Sequence, residues 1–96
     1  MVVIHRGPSK GARFLISADG VSIGRAPSAD IFLDDVTVSR SHARIDRTGT
    51  GFHFIDAGSL NGSYINNQPA SSEDLHTGDE IQIGKFHLIF VTATKK

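Results

Sequence analysis

Residues 42–56 read HARIDRTGTGFHFID, and this stretch decides the fold. Apolar Ala43 and Ile45 alternate with charged residues, so one face of the segment is apolar and the other is polar. Alternation with a period of two is typical of a strand in an antiparallel sheet that has one face in solvent. The threonines and glycines of residues 48–51 then predict a hairpin turn into a second strand.

Similar short runs of β-branched and aromatic residues recur along the whole chain, separated by ten glycines and three prolines. Phe14 and Ile16 share one face of such a run, as do Val21 and Ile23, and nothing has the period of a long amphipathic helix. The predicted strands are residues 2–5, 13–17, 21–24, 31–33, 42–47, 51–56, 63–65, 80–83 and 85–92. Many short strands with frequent turns predict an all-β fold, specifically an antiparallel β-sandwich.

The composition restricts the function classes. The 96 residues suffice for one small domain, and ten basic residues balance ten acidic ones, which argues against a nucleic-acid-binding surface. There are no cysteines, and the five histidines lack the spacing of a zinc motif, so we expect neither a metal nor another cofactor. No apolar run approaches the ~18 residues of a membrane helix, and residues 1–6 do not resemble a signal peptide. We therefore expect a cytoplasmic protein.

The chain shows no internal repeat, linker or low-complexity tract. We therefore expect one domain over residues 1–93, monomeric, followed by a frayed C-terminal tail over residues 94–96.

Three short motifs fall in turn-like stretches between the predicted strands: Gly24-Arg25, Ser39-Arg40-Ser41-His42 and Asn61-Gly62. They offer two guanidinium groups, hydroxyl groups and an amide as hydrogen-bond donors, and a guanidinium can bind two phosphate oxygens at once. None of the motifs offers a competent general base. Taken singly, each residue also has an ordinary interpretation as a solvated charge or a turn former. Together they predict a site that holds an anion.

His42 calls for a different interpretation, because it begins a predicted strand. A neutral imidazole can donate from one nitrogen and accept at the other, and could join two loops in this way. We favour this structural role over contact with a ligand.

In their order and spacing, the three motifs resemble the forkhead-associated (FHA) domain, a phosphothreonine-binding module. The resemblance covers nearly the whole chain, about residues 2–91. It implies a β-sandwich of two large twisted sheets, of the FHA and SMAD type, with the ligand held by loops at one end.

The resemblance also implies roles for individual residues. The phosphate would be bound by Arg25, Ser39 and Arg40, and the backbone of the bound peptide by Asn61. The site would be supported structurally by Gly24, His42, Gly62 and Asn66.

One position departs from the family pattern. Many family members have threonine or serine immediately before the binding asparagine, where this chain has Leu60. One hydrogen-bond donor is therefore missing, which leaves Ser59 and Ser41 as candidate accessory donors.

A narrower resemblance rests on residues 31–40, 58–62 and 81–86, which are similar to the actinobacterial glycogen-accumulation-regulator group. Those proteins carry a phosphorylatable N-terminal tail, and they bind and inhibit 2-oxoglutarate dehydrogenase and related enzymes of glutamate metabolism. This chain begins at its first predicted strand. Two alternatives stay open: a part of a longer protein, or a module that acts only as a reader.

The expected function is therefore recognition of phosphothreonine peptides, with serine/threonine kinases among the partners. The alternative is phosphate-independent inhibition of 2-oxoglutarate or glutamate dehydrogenases, switched by phosphorylation. Catalysis is not expected, because Ser39 and His42 lie three residues apart at a loop-to-strand junction, where their side chains need not meet. Residues 58–62 are also not a nucleophile elbow, since serine is second and no helix follows. A purely structural or oligomerising β-domain is the remaining rival.

Overall fold

The structure is a computed structural model, and it describes residues 1–7, 10–17, 19–49 and 51–92. Eleven strands lie in these ranges: β1 Val2–Arg6, β2 Arg13–Phe14, β3 Val21–Gly24, β4 Ile31–Phe32, β5 Ala43–Thr48, β6 Gly51–Asp56, β7 Ser63–Ile65, β8 Gln68–Pro69, β9 Ser72–Leu75, β10 Glu80–Ile83 and β11 Phe86–Phe90. Across these ranges, the structure shows no helix with the length and apolar character to cross a membrane.

The strands form two sheets. The order is β2-β1-β11-β10-β7-β8 in the six-stranded sheet and β4-β3-β5-β6-β9 in the five-stranded sheet. The apolar positions of the alternating segments face a shared core, and Ile45 and Phe54, paired across β5 and β6, are fully buried. The expected all-β sandwich of two sheets is confirmed. Full burial of a side chain of this size contributes about 1.5–3 kcal/mol, so the core accounts for much of the stability.

Two strands were not predicted from the sequence. β8 follows Asn66 and Asn67, whose φ angles of 52° and 69° form the kind of tight turn that favours a two-residue hairpin. β9 is an outer strand in which only Leu75 is buried, so its sequence lacks the alternation that reports a half-buried strand. All four outermost strands are short or strongly polar.

One pair of strands contradicts the expected antiparallel pattern, because β3 and β4 run parallel. The connection is held by a reciprocal contact: the backbone N–H of Ser22 donates to the Asp30 carboxylate, and the N–H of Asp30 donates to the Ser22 hydroxyl, both at 3.0 Å. The chain reverses direction between Ser22 and Asp30, so that β4 runs parallel to β3.

Several predicted strands also end earlier than expected. The strand predicted over residues 13–17 has only two residues, and those predicted over 31–33 and 85–92 end at Phe32 and Phe90. The predicted hairpin after β5 is present, with Thr48 opposite Gly51, although Thr50 within it lies outside the described residues. The predicted tail, residues 94–96, also lies outside them.

Loops from both sheets meet at one end of the sandwich. In the five-stranded sheet, β3 ends and β5 begins there, since Ile23 pairs with Ala43. In the six-stranded sheet, β7 begins there, with Ser63 opposite Ile83. The connections through residues 25–30, 33–42, 57–62 and 84–85 therefore lie at this end, which contains the three sequence motifs.

Candidate functional site

Arg25 is held in place by the segment that follows β4. Its backbone N–H donates to the carbonyl of Ser39, and its side-chain Nε donates to the carbonyl of Val38, both at 3.0 Å. The two terminal nitrogens of the guanidinium stay free of these bonds. Gly24 makes the close approach possible, because a Cβ atom there would lie 2.0 Å from the carbonyl oxygen of Arg40. Any side chain at position 24 would push the two segments apart.

Ser39 presents a hydroxyl group with its proton available. Its Oγ accepts a hydrogen bond from the backbone N–H of Leu60 at 2.9 Å. A hydroxyl has one donor and two acceptor positions, so this contact orients the oxygen and leaves the O–H for another acceptor. The contact also joins the segment after β4 to the loop over residues 57–62.

His42 is completely buried and joins the same two loops. Its Nδ1 accepts the backbone N–H of Ser39 at 3.0 Å, and its Nε2 lies 2.9 Å from the carbonyl oxygen of Gly62. Because Nδ1 must be an acceptor, the proton is assigned to Nε2, which donates to Gly62. Both ring nitrogens are thus used inside the protein, and the imidazole is out of reach of a ligand.

Asn61 is exposed, and one of its amide protons is already engaged. Its Nδ2 donates to the carbonyl of Thr37 at 3.0 Å. The second amide proton and the side-chain oxygen take no part in this bond, and they supply one donor and one acceptor. This pair of groups matches the N–H and carbonyl of an extended peptide backbone.

The loop over residues 57–62 is organised by Asp56, the last residue of β6. Its carboxylate accepts from the backbone N–H groups of Gly58 and Ser59 at 2.8 Å and from the hydroxyls of Ser59 and Ser63 at 2.6 Å. Burial raises the pKa of Asp56, but these four hydrogen bonds outweigh it and lower the pKa from 3.8 to about 2. Ser59 gives its proton to Asp56, so its hydroxyl is not a free donor for a ligand.

A second carboxylate fixes the loop over residues 33–42. Asp35 accepts from the backbone N–H of Thr37 at 2.9 Å and from its hydroxyl, and it lies 3.3 Å from the Lys85 ammonium. The two bonds from Thr37, together with Lys85, outweigh partial burial and lower the pKa of Asp35. The Lys85 N–H in turn donates to the Thr37 hydroxyl, and Gly84 leaves room for it, since a Cβ there would lie 2.3 Å from that oxygen.

The site residues predicted from the sequence did not include Asp56, Asp35, Thr37 or Gly84. Each aspartate precedes a small or hydroxylated residue by two or three positions, which is the signature of a carboxylate that binds the following backbone. That signal could have identified the two aspartates as residues that fix the loops, although it carries no information about a ligand.

Arg40 and Ser41 are exposed at the rim of the site. The carbonyl of Arg40 accepts the N–H of Ala26 at 3.2 Å, which fixes the backbone and leaves the guanidinium free of that bond. Both residues line a shallow groove of about 190 Å³ that also includes Ala26 and Arg44. Arg25 and Ser39 are not among the residues that line this groove.

Asn66 lies elsewhere. It follows the last residue of β7, at the opposite end of that strand from Gly62. Its side chain donates to Asp79 and accepts the N–H of Glu80, both at 3.0 Å. The residue therefore braces the turn before β10, and not the loops that contain Arg25, Ser39 and Asn61.

The geometry also separates the Ser39 hydroxyl from the imidazole of His42. Nδ1 of His42 binds the backbone N–H of Ser39, not the hydroxyl, and Nε2 is occupied by Gly62. A nucleophile–base pair is therefore not formed. Over residues 1–7, 10–17, 19–49 and 51–92, the structure holds no group of three or more histidine, cysteine or acidic residues that could hold a metal ion. The arrangement presents donors and can bind an anion.

Family comparison assigns the class of protein that this fold and site define. Residues 21–84 match the model of the FHA domain, and the chain therefore belongs to the FHA domain family.

Two longer proteins are similar over almost the entire chain. The oxoglutarate dehydrogenase inhibitor of Corynebacterium jeikeium (strain K411) is 51% identical over 96 residues, which cover 100% of this chain and 67% of that protein. The glycogen accumulation regulator GarA of Mycolicibacterium smegmatis is 53% identical over 95 residues, covering 99% of this chain and 60% of that protein. The chain thus spans between three-fifths and two-thirds of these relatives' length. Neither relative is named as an enzyme.

Solved structures share the fold over nearly all of the chain. A structure described as a structural and functional analysis of phosphothreonine-dependent FHA domain interactions superposes with a TM-score of 0.90 at 29% identity, and the match covers 98% of this chain and 96% of that one. The Mycobacterium tuberculosis EmbR structure, in complex with a low-affinity phosphopeptide, gives a TM-score of 0.86 at 32% identity and covers 99% of this chain and 25% of that one.

Proposed function

We propose that this FHA domain binds peptides that contain phosphothreonine, and so reads the output of serine/threonine kinases. One observation carries the proposal. The Arg25 guanidinium is fixed through Nε, beside a Ser39 hydroxyl whose oxygen is already oriented by Leu60. Hydrogen bonds to a charged group contribute about 1.5–3 kcal/mol each, so the loss of two or three such contacts with the phosphate would abolish micromolar binding.

The remaining residues have separate roles in this proposal. Arg40 adds a second guanidinium to the phosphate, with Ser41 beside it on the rim. Asn61 uses its free amide proton and oxygen to bind the peptide backbone and to fix its register. Gly24 and His42 keep the loops at the spacing that these contacts require.

Calorimetry with matched peptides tests the proposal. A phosphothreonine peptide should bind with micromolar affinity, and the same peptide without phosphate should give no measurable heat. A degenerate phosphothreonine library then identifies preferred sequences for the search for partners. Equal affinity for the two forms would show that the site does not recognise phosphate.

A second candidate function is favoured by the relatives. A protein named as an oxoglutarate dehydrogenase inhibitor is 51% identical across the whole chain. On this basis the unoccupied loop end would bind 2-oxoglutarate dehydrogenase or glutamate dehydrogenase without phosphate and inhibit it. A phosphothreonine tethered to the domain would compete for the same loops, because a short flexible linker gives a millimolar effective concentration.

Competition separates the two functions. If the loops serve both, a saturating phosphothreonine peptide should displace the domain from the dehydrogenase. Two results would count against the second function: the enzyme and the peptide bind together without weakening each other, or the domain never captures the enzyme. In either case, only the phosphopeptide-binding function remains.

A further inference from the structure

The outer face of the five-stranded sheet carries a serine, a histidine and an aspartate that lie outside the candidate site. His53 on β6 is directly opposite Asp74 on β9, and Ser72 lies two residues before Asp74. Successive side chains of a strand point to opposite faces, so the burial of Phe54 places His53 on the outer face. Nδ1 of His53 lies 2.7 Å from the Asp74 carboxylate, and Nε2 lies 2.6 Å from the Ser72 hydroxyl. The three side chains therefore form one hydrogen-bonded cluster.

The chemistry of the three groups fixes where the protons of the cluster lie. An ionised carboxylate can only accept, so the ring proton of neutral His53 is assigned to Nδ1, which donates to Asp74. Nε2 then has a lone pair and no proton, so its hydrogen bond at 2.6 Å comes from the Ser72 O–H. Ser72 thus directs its proton at a base that can take it, and a carboxylate stabilises the imidazolium that results.

The backbone N–H of Ser72 is also available, because β9 is the outermost strand of its sheet. The N–H of Asp56 donates to the carbonyl of Ser71 at 2.8 Å, so these opposite residues form a hydrogen-bonded pair. Hydrogen-bonded and non-hydrogen-bonded pairs alternate in an antiparallel ladder, so the next pair, Ile55 and Ser72, is non-hydrogen-bonded. The N–H of Ser72 therefore points away from β6, and it can donate to a developing oxyanion.

We propose that Ser72 is a modification site, a nucleophilic serine that is acylated by activated acyl donors such as thioesters. The Ser72 Oγ attacks the carbonyl carbon and forms a C–O bond, while its proton passes to Nε2 of His53. The C–S bond of the thioester then breaks, and the proton moves from His53 to the departing sulfur. The products are an acyl ester on Ser72 and a free thiol, with no oxidation or reduction. The inference goes beyond phosphopeptide binding, and it concerns one modification per chain.

The openness of the cluster determines which acyl donors fit. Ser72 is exposed and the Asp74 side chain is 79% exposed, so the donor arrives directly from solvent. A surface of this kind supplies little binding energy to lower the barrier of the reaction. The donor must therefore bring a good leaving group of its own. Thiolates and phenolates are good leaving groups, whereas amines are not, so the reacting class is activated acyl donors and excludes peptides.

Labelling with p-nitrophenyl acetate tests the inference, and acetyl coenzyme A provides the thioester arm. Mass spectrometry of the digested protein measures the acetylated fraction of each serine over time. In both arms, Ser72 should react at least about tenfold faster than Ser71, the exposed serine immediately before it, because a positioned general base contributes about 10²–10⁴-fold. The readout is the acetyl group on Ser72, since an imidazole alone can also release p-nitrophenolate.

Variants assign the reactivity to the hydrogen-bonded cluster, with circular dichroism to confirm the fold. His53→Gln should lower the acetylation rate of Ser72 about tenfold or more, because glutamine can form hydrogen bonds but cannot take the proton. Asp74→Asn should also lower the rate, because the amide carries no charge to stabilise the imidazolium and no longer requires Nδ1 to be the donor. His76→Gln is the matched control, since the His76 side chain is 81% exposed and Nδ1 of its ring lies near Asp79. This control should leave the rate unchanged.

Two outcomes would overturn the inference. One is equal acetylation of Ser72 and Ser71 in the unmodified protein, a comparison that does not depend on how any variant folds. The other is an unchanged rate at Ser72 in folded His53→Gln and Asp74→Asn variants. Either outcome leaves the proposed function standing, because phosphopeptide binding is measured separately and uses none of these three side chains.

Discussion

At the scale of single residues, the proposed phosphate contact of Arg25 depends on how its side chain is held. Its Nε donates to the Val38 carbonyl at 3.0 Å, so the guanidinium is oriented before a ligand arrives. We expect Arg25→Ala to lower phosphopeptide affinity by about 2–5 kcal/mol, as when one partner of a desolvated charge pair is removed. Arg25→Lys should recover only part of it, because an ammonium cannot bind two oxygens in a fork.

Calorimetry of the variants checks this expectation, with circular dichroism to confirm the fold. Arg47→Ala is the matched control, because Arg47 is an exposed arginine near the other end of β5. Normal binding by a folded Arg25→Ala variant would mean that the phosphate lies elsewhere.

His42→Ala should have the opposite effect from Arg25→Ala: it should lower the stability of the fold, with only a secondary effect on phosphopeptide affinity. The substitution leaves the N–H of Ser39 and the carbonyl of Gly62 without their partner in a buried position, at a cost of about 1–3 kcal/mol. Urea unfolding should show this loss directly. A variant of unchanged stability that no longer binds the phosphopeptide would instead make His42 a ligand contact.

At the scale of single elements, the loop over residues 57–62 depends on the charge of Asp56. The pKa of Asp56 is about 2 in the folded protein, below its ordinary value of 3.8. A depressed folded-state pKa means that the ionised carboxylate stabilises the fold above about pH 4, and that this contribution is lost as the pH falls toward 2. Discounted for partial exposure, it amounts to about 1–2 kcal/mol.

Comparison with Asp56→Asn isolates this contribution, since the amide does not titrate. At pH 7 the variant should be less stable by about 1–2 kcal/mol in urea unfolding, and the difference should shrink as the pH falls from 4 to 2. A difference that stays constant over this range would mean that the carboxylate charge is not what holds the loop.

The elements differ in how far the sequence could predict them. β5 and β6 were predictable because each strand buries apolar side chains, Ala43 and Ile45 in β5 and Phe54 in β6, and this burial leaves an apolar alternation in the sequence. β9 was not, because its residues other than Leu75 are exposed and it is a strand only through pairing with β6. The parallel direction of β4 depends on contacts between Ser22 and Asp30, which no local pattern reports.

The residues of the candidate site also differ in how far the sequence could predict them. Arg25, Ser39 and Asn61 could be chosen because a family resemblance marks them. The contact between Thr37 and Lys85 joins residues 48 positions apart, so it exists only in the folded chain. Asn66 shows the reverse limit, because the resemblance assigned it to structural support of the site, whereas its side chain binds Asp79 and Glu80 at the turn before β10.

At the scale of the whole molecule, the loops that meet at one end come from both sheets. A ligand that bridges Arg25 and Asn61 therefore links the two halves of the sandwich and binds only the folded form. We expect a phosphothreonine peptide at 100 times its Kd to raise the free energy of unfolding by about 2.7 kcal/mol. Urea unfolding with and without the peptide measures this, and the unphosphorylated peptide, the control, should produce no shift.

The short outer strands affect how copies of the protein associate at high concentration. β2, β4 and β8 have two residues each, β8 ends in Pro69, and β9 exposes Glu73 and Asp74. An open sheet edge invites another chain to add a strand, and brevity, proline and charge all discourage it. Neighbouring copies thus find little backbone to pair with, so we expect the protein to tolerate high concentration without forming fibrils.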